Sequence, residues 1–481
     1  MNTFASAVES RTSNTENGMK AFASSLSANV DFFYKMGSMR AVDPVPEFSK
    51  AFVENRELAL RSLQFLRDVR QGMGERQTFR EILKFLEVTD PEAAALIATR
   101  IPELGRFDDL FSFSTKELQE FALDIFAIAL QNGNALAGKW AKRKGPDAEA
   151  LRKFMGLSPK AYRKMIVRLS STVEQRMCAN RWNEINYSHV PSVAHARNRR
   201  AFGRHSPERY QQYLADLKAN KSGVKINASA VFPHDVIKTV LNKFDYFYGA
   251  DEIPRDMSPM EMESIIQQWN ALPNFVGESN ILPMVDVSGS MLSGGNPSPL
   301  IVAVGLGLYL CDKNQGAFSD LVLTFSNKSK LEHLRGNVVQ KAIQMTQMDW
   351  AMNTDIERAL MEILRVAVEG NVPQDQMPKS LVILSDMQFD VCTVDQNESY
   401  MEMMSRMFKE KGYQVPSIIF WNLNGAKTNV PVRYTEKGTA LISGYSPNIL
   451  KTVLSGDLDE LTPEKIMLNA IMDPRYAVVL E

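Results

Sequence analysis

The chain has 481 residues, 44% of them apolar and 23% charged, with 55 Lys and Arg against 56 Asp and Glu. That length exceeds what one hydrophobic core supports, so two or three domains are expected, and the composition excludes global disorder. No run of about 18 apolar residues offers a membrane span, and the polar stretch from Met1 to Asn17 lacks a signal-peptide core. Three distant cysteines, Cys178, Cys311 and Cys392, make no disulfide framework, so a reduced, cytoplasmic protein is the expectation.

The near-zero net charge hides an asymmetry. Residues 1–250 carry 37 Lys and Arg against 27 Asp and Glu, and residues 251–481 carry 18 against 29. Within the first half, residues 151–243 hold 18 basic and 5 acidic side chains. Such a stretch is the footprint of a polyanion partner, with nucleic acid the commonest, or else a solvated face that docks on the acidic half.

From the N-terminus the pattern is helical. Residues 50–70 and 75–87 predict a helical pair broken at Gly72 and Gly74. Asp90-Pro91 is a helix start, Ser114-Thr-Lys-Glu117 reads as a capping box, and Gly133 offers a stop. Ser158-Pro159 and Ser171-Thr-Val-Glu174 open further helices. No β-alternation stands out before residue 280, so residues 1–275 are expected to be an all-helical module of stacked pairs, although no fixed repeat period is visible. The stretch 183–234 is less periodic. It combines Tyr187, Phe202 and Tyr210 with Arg197, Arg199, Arg200 and Arg204. Arginines neutralise phosphates, and rings either stack on unpaired bases or pack between helices. Arg67, Arg70 and Arg76 alternate with Asp68 and Glu75 and read mainly as structural ion pairs.

Residues 276–481 read as an α/β domain. Strands are predicted at 281–287, 319–326, 379–385, 415–421 and 438–443, with helices at 299–311, 336–347, 353–368, 397–411 and 446–455. This alternation predicts a doubly wound, mostly parallel sheet with its ligand site at the carboxyl ends of the strands. Asp286-Val-Ser288-Gly-Ser290 falls at such an end. Thr354 opens a later helix, and Asp386 follows the strand 379–385. Carboxylates and hydroxyls make an all-oxygen, low-charge site suited to a hard divalent cation, Mg²⁺ above all, with positions left for water or a partner's Asp or Glu.

The order Asp286, Ser288, Ser290, Thr354, Asp386 resembles the metal-ion-dependent adhesion site of von Willebrand factor A domains, and all five motif positions are filled. The first half then resembles the TROVE module of Ro autoantigen proteins, and still more a related group in plants, fungi and large viruses. The residues that carry this are Thr15-Glu-Asn-Gly18, Asp31 to Arg40, Leu66 to Arg76, Gly105-Arg-Phe-Asp-Asp-Leu110, Lys139 to Gly145, Trp182 to Ser192 and Ser385-Asp-Met-Gln-Phe-Asp390. The resemblance implies HEAT-like helical repeats closed into a ring by the A domain. It implies binding of single-stranded ends of misfolded or structured RNA, as a ribonucleoprotein without catalysis. Charge supplies the candidate RNA contacts: Lys139, Lys142, Arg143 and Lys144 around Trp140, and Arg197, Arg199, Arg200 and Arg204.

Enzyme readings are disfavoured. There is no Gly-rich phosphate loop, and Ser288 sits in no nucleophile elbow. Asp355 and Asp386 beside a metal-bound water leave nuclease chemistry as a minor alternative. The rival to RNA binding is a metal-dependent protein-assembly scaffold, in which a partner's acid completes the magnesium shell.

Overall fold

In the computed structural model of the protein, the described residues are 12–170, 172–241, 257–292, 296–325, 329–348, 355–390, 399–426, 429–454 and 460–478. Two three-residue strands, β1 (Thr12–Asn14) and β2 (Lys20–Phe22), form an antiparallel hairpin at the start. Strands this short carry too few side chains to write a period into the sequence, which is why none was legible.

Among the described residues from Ala28 to Asn270 the regular structure is helical. The expected start signals act locally in three places. Asp90 accepts from the Ala93 amide (3.0 Å), Ser158 from the Ala161 amide (3.2 Å) and Thr172 from the Gln175 amide (3.4 Å). Ser171 lies outside the described residues. At Ser114–Glu117 the structure differs from the sequence expectation. Helix Lys116–Gln131 begins at Thr115, whose side chain makes no cap bond. Glu87, near the end of helix Gln77–Thr89, instead accepts from the Ser114 amide (2.6 Å), the Ser114 hydroxyl (2.8 Å) and the Thr115 amide. A tertiary carboxylate satisfies the orphan amides that the local box would have taken.

The helical part holds a buried ion cluster. Asp109 is inaccessible to solvent and accepts from Arg67 Nε (2.8 Å), Arg80 Nε (2.8 Å) and the Arg106 amide (3.0 Å). The Arg67 side chain is 2% exposed.

The second half is a six-stranded sheet in the order β5-β4-β3-β6-β7-β8. Its strands are β3 (Ile281–Asp286), β4 (Leu321–Phe325), β5 (Lys330–His333), β6 (Ser380–Ser385), β7 (Ser417–Asn422) and β8 (Thr439–Ser443). All neighbours are parallel except the edge pair β4–β5, which sequence reading did not predict. β3, β6, β7 and β8 are buried at every residue, as expected of parallel strands covered on both faces. Helix Pro299–Lys313 is apolar all round because it packs against β3, β4 and β6 and also against helices Pro233–Leu241 and Val338–Gln347. At Gly305 a Cβ would lie 2.7 Å from His234 Cα.

The helical part meets the α/β part at both its ends. Helix Ala28–Met36 packs on β8 and helix Pro233–Leu241 on Pro299–Lys313. The carboxyl-terminal residues return to the first helices, where Arg475 Nε pairs with Asp68 (2.6 Å) and the Tyr476 hydroxyl donates to the same carboxylate (3.0 Å).

Asp109→Ala leaves the Arg67 guanidinium buried without its anion, so stability should fall by about 3–5 kcal/mol, read from the urea midpoint. A loss below about 1 kcal/mol would show that the cluster is not integral to the fold.

Candidate functional site

The sheet reverses direction between β3 and β6. From β3 the chain runs out through β4 to β5, and from β6 it runs the other way to β7 and β8. In open α/β sheets such a switch point opens a crevice at the strand tips. Here the adjacent strands pair in register, Val285 opposite Leu384, so Asp286 and Ser385 end side by side. Asp286, Ser385 and Asp386 are wholly buried, and Ser288 is 2% exposed. One Asp286 oxygen accepts from the Ser288 amide (2.9 Å), and the other from the Ser385 hydroxyl (2.5 Å). The Ser288 and Ser290 hydroxyls are 3.1 Å apart. The Gln388 amide donates to Asp386 Oδ1 (3.2 Å).

Burial first, and then the negative charge of Asp386, push the Asp286 carboxyl up to about 7. The bonds from Ser288 and Ser385 work against that rise. Two inaccessible carboxylates beside two facing hydroxyls form a donor set that fits a small hard cation, because a cation relieves both the burial and the like-charge cost. Among the described residues no group of three or more His, Cys, Asp or Glu is placed to hold a metal ion, so a cation here would have two carboxylates and the serine hydroxyls as its side-chain donors. Sequence reading named Asp286, Ser288, Ser290 and Asp386, and the structure brings these four together. Thr354 lies outside the described residues. Asp355 caps its own helix, accepting from the Arg358 amide (3.0 Å).

The basic candidates separate. Lys142, Arg143 and Lys144 are exposed in the turn between helices Ala135–Trp140 and Pro146–Phe154, with Lys139 and Trp140 half-buried before it. Across a cleft of about 330 Å³, helix Pro159–Leu169 exposes Lys160, Arg163, Lys164 and Arg168, which helical spacing puts on one side. Sequence reading passed over these four, although that spacing was there to be found.

Arg199 corrects the sequence reading. It is 2% exposed, bound to the Ala196 carbonyl (3.0 Å) and Gln268 (3.3 Å), so it does not face solvent. Tyr187, Phe202 and Tyr210 are likewise buried, together with Tyr213 and His195, and present no free ring face. Arg200 pairs with Glu261 (2.7 Å), and Arg204 and Arg197 are exposed.

Arg197 lines a cavity of about 510 Å³ enclosed by both parts of the chain, with Arg40, Arg67, Arg76 and Arg106 on its walls. Arg40 pairs with Glu75 (2.7 Å), and Arg67 with Asp109 (2.7 Å). Arg106 pairs with Asp108 (2.9 Å) and lies 3.5 Å over the Trp140 ring. Burial holds the Arg106 guanidinium below its ordinary range against the pull of Asp108, and the like charge of Arg76 adds a smaller push the same way. Arg76 and Arg197 have no ion-pair partner among the described residues. Reading Arg76 as a structural ion pair is therefore also corrected: its acidic neighbour Glu75 turns to Arg40.

Residues 280–472 match the family model described as Domain of unknown function (DUF7788), and residues 15–103 and 134–281 that described as Domain of unknown function (DUF2828). An uncharacterized protein of Acanthamoeba polyphaga mimivirus is 28% identical, over 95% of this chain and 86% of its own length. The crystal structure of the Ro (RSR) protein of Deinococcus radiodurans aligns with a TM-score of 0.50 at 14% identity, covering 94% of this chain and 100% of that one. The fold is Ro-like: a helical part followed by an α/β part. No helix among the described residues is long and apolar enough to cross a membrane.

The Asp286 shift has a definite sign. In chelator-treated protein, folded Asp286 holds a proton between pH about 4, where an unfolded carboxyl releases it, and about 7. Stability should therefore fall as pH rises across that window, and Asp286→Asn should flatten the slope. Urea midpoints at several pH values check this, and a wild-type profile that matches the variant's would contradict it.

Proposed function

We propose that the chain is an RNA-binding protein of the Ro type. Its helical repeats close into a ring on a von Willebrand factor A-like domain and hold the single-stranded end of an RNA. The observation that carries this reading is the arginine-lined cavity. Arg76 and Arg197 line it with no ion-pair partner among the described residues, Arg106 pairs with Asp108 beside them, and the acids on the same walls are Glu75, which pairs with Arg40, and Asp235. A phosphate is met there by the planar guanidinium donors of Arg76 and Arg197. The volume suits a strand end rather than a duplex. The exposed cations of residues 142–144 and of helix Pro159–Leu169 extend the positive surface for the body of the RNA. The likeness of fold to the Ro protein of Deinococcus radiodurans supports the same reading.

In this reading the strand tips hold Mg²⁺ through Asp286, Ser288, Ser290 and Asp386, and a partner protein supplies an Asp or Glu to the shell. The protein binds and does not catalyse, and it works in the cytoplasm. The serines of the tip site face carboxylates. Histidines His195 and His234 are buried in the helical part, and His333 pairs with Leu321 at the opposite end of β4. A metal-dependent scaffold without RNA is the second reading, favoured by the buried carboxylate pair taken alone.

An RNA of about 20 nucleotides with free ends should bind tightly at low salt, with affinity falling linearly in log[salt]. The double variant Arg76→Glu, Arg197→Glu should lose at least about tenfold and lower the salt slope by about 1.4, from roughly 0.7 per phosphate contact. Fluorescence anisotropy reads both. Equal affinity in variant and wild type would remove the cavity from the reading, and no binding by either would favour the scaffold.

A further inference from the structure

Tyr34 lies on helix Ala28–Met36, and the residues around it in sequence are fastened to the carboxyl edge of the sheet. The Phe33 carbonyl accepts from the Ser443 hydroxyl (3.0 Å), at the last residue of β8. That same hydroxyl accepts from the Gly37 amide (3.1 Å). The Ser38 carbonyl accepts from the Gly425 amide (3.0 Å), and a Cβ on Gly425 would lie 2.8 Å from the Lys35 carbonyl oxygen. The turn that carries Gly425 begins over β6, where the Leu423 amide donates to the Ser385 carbonyl (3.0 Å), one residue before Asp386. Residues 33, 35, 37 and 38 are thus held on the tips of β7 and β8, and Tyr34 sits among them.

The side chain of Tyr34 is completely buried, and its hydroxyl has no hydrogen-bond partner among the described residues. An unpartnered buried hydroxyl is costly, and such groups call for an explanation. Its surroundings supply one. Burial, and then the negative charges of Asp386 and Asp31, push the phenol well above its usual range. The hydroxyl is thus a buried donor without an acceptor among the described residues, on a helix fastened to the strand tips.

We propose that Tyr34 is a member of the cation site, contributed by the helical part: its hydroxyl donates to an oxygen of the cation's coordination shell, so that filling the site fastens the first helix onto the sheet. This rests on reading Asp286, Ser288, Ser290 and Asp386 as a cation site. Groups that hold the oxygens around a metal tune its affinity without touching it. Here that outer contact also joins the two parts of the chain.

The test uses the full chain. Mg²⁺ is titrated by calorimetry, and amide exchange over residues 28–36 is followed with and without Mg²⁺, for wild type, Tyr34→Phe and Asp386→Asn. Tyr34→Phe removes only an oxygen without a partner among the described residues, so it should fold as well as wild type. It should bind Mg²⁺ about tenfold more weakly. Mg²⁺ should slow exchange of the helix in wild type and leave it unchanged in Tyr34→Phe. Wild-type affinity and wild-type protection in Tyr34→Phe would overturn the proposal while leaving the cation site standing. Absence of Mg²⁺-dependent protection in wild type alone, despite binding, would overturn the coupling without recourse to a variant. If wild type itself binds no Mg²⁺, with Asp386→Asn indistinguishable, the cation reading fails and takes this proposal with it.

Discussion

The constraint on which the α/β half depends is the reversal of the sheet between β3 and β6. Parallel strands buried on both faces leave no room for polar side chains along their length, so the chemistry is confined to the tips. At the switch point two tips meet, and each carries an aspartate. Charge at such a place is expensive unless it is hydrogen-bonded or matched. The observed bonds from Ser288 and Ser385 offset part of that cost, and Asp286 remains pushed towards its neutral form. The same edge is covered by the start of the chain. Thr15 donates to the Phe389 carbonyl (2.6 Å), Asn17 to the Gln388 carbonyl (2.7 Å), and the Glu16 amide to the Gln388 side chain (2.7 Å). Residues far apart in sequence thus converge on the carboxyl edge of the sheet.

How much of this was legible follows from range. Strands β3, β6, β7 and β8 announce themselves as apolar runs, and the tip motif is short enough to read within each run. β5 is missed because its four residues, Lys330–His333, are partly or fully exposed and write no apolar run. The cap of helix Lys116–Gln131 is missed because Glu87 lies 27 residues before Ser114 and competes with a plausible local signal. Arg76 is obscured by the acid beside it, which the fold assigns to Arg40 instead. Tyr34 carries no sequence signal at all: an aromatic in an apolar helical run reads as core, and only the docking of its helix brings it near Asp386.

Arg199 shows what charge counting cannot resolve and periodicity can. In helix Ser192–His205 the residues Ser192, His195, Arg199 and Phe202 follow helical spacing, and all four are buried. The arginine belongs to the apolar face. Burial draws its guanidinium down to about 10, still charged at neutral pH, and the Ala196 carbonyl and Gln268 give it fixed acceptors. A buried cation held this way sets the rotation of its helix. Arg197, two residues earlier, is then turned to the opposite side, into the cavity, while Arg200 is turned towards Glu261. The positive charge of residues 151–243 is therefore sorted by the fold into three kinds: cations spent on holding helices, cations paired on the surface, and exposed cations such as Lys160, Arg163 and Arg197 that face open space. Only the last kind can meet a phosphate. On the cavity walls Arg197 is joined by Arg76 and Arg106 from earlier in the chain, and the packing of the helical part on the α/β part closes the space around them. The cavity is thus a property of the docked pair of modules, and any contact that tightens their docking, at Asp68, at Ser443 or at the strand tips, acts on its walls as well.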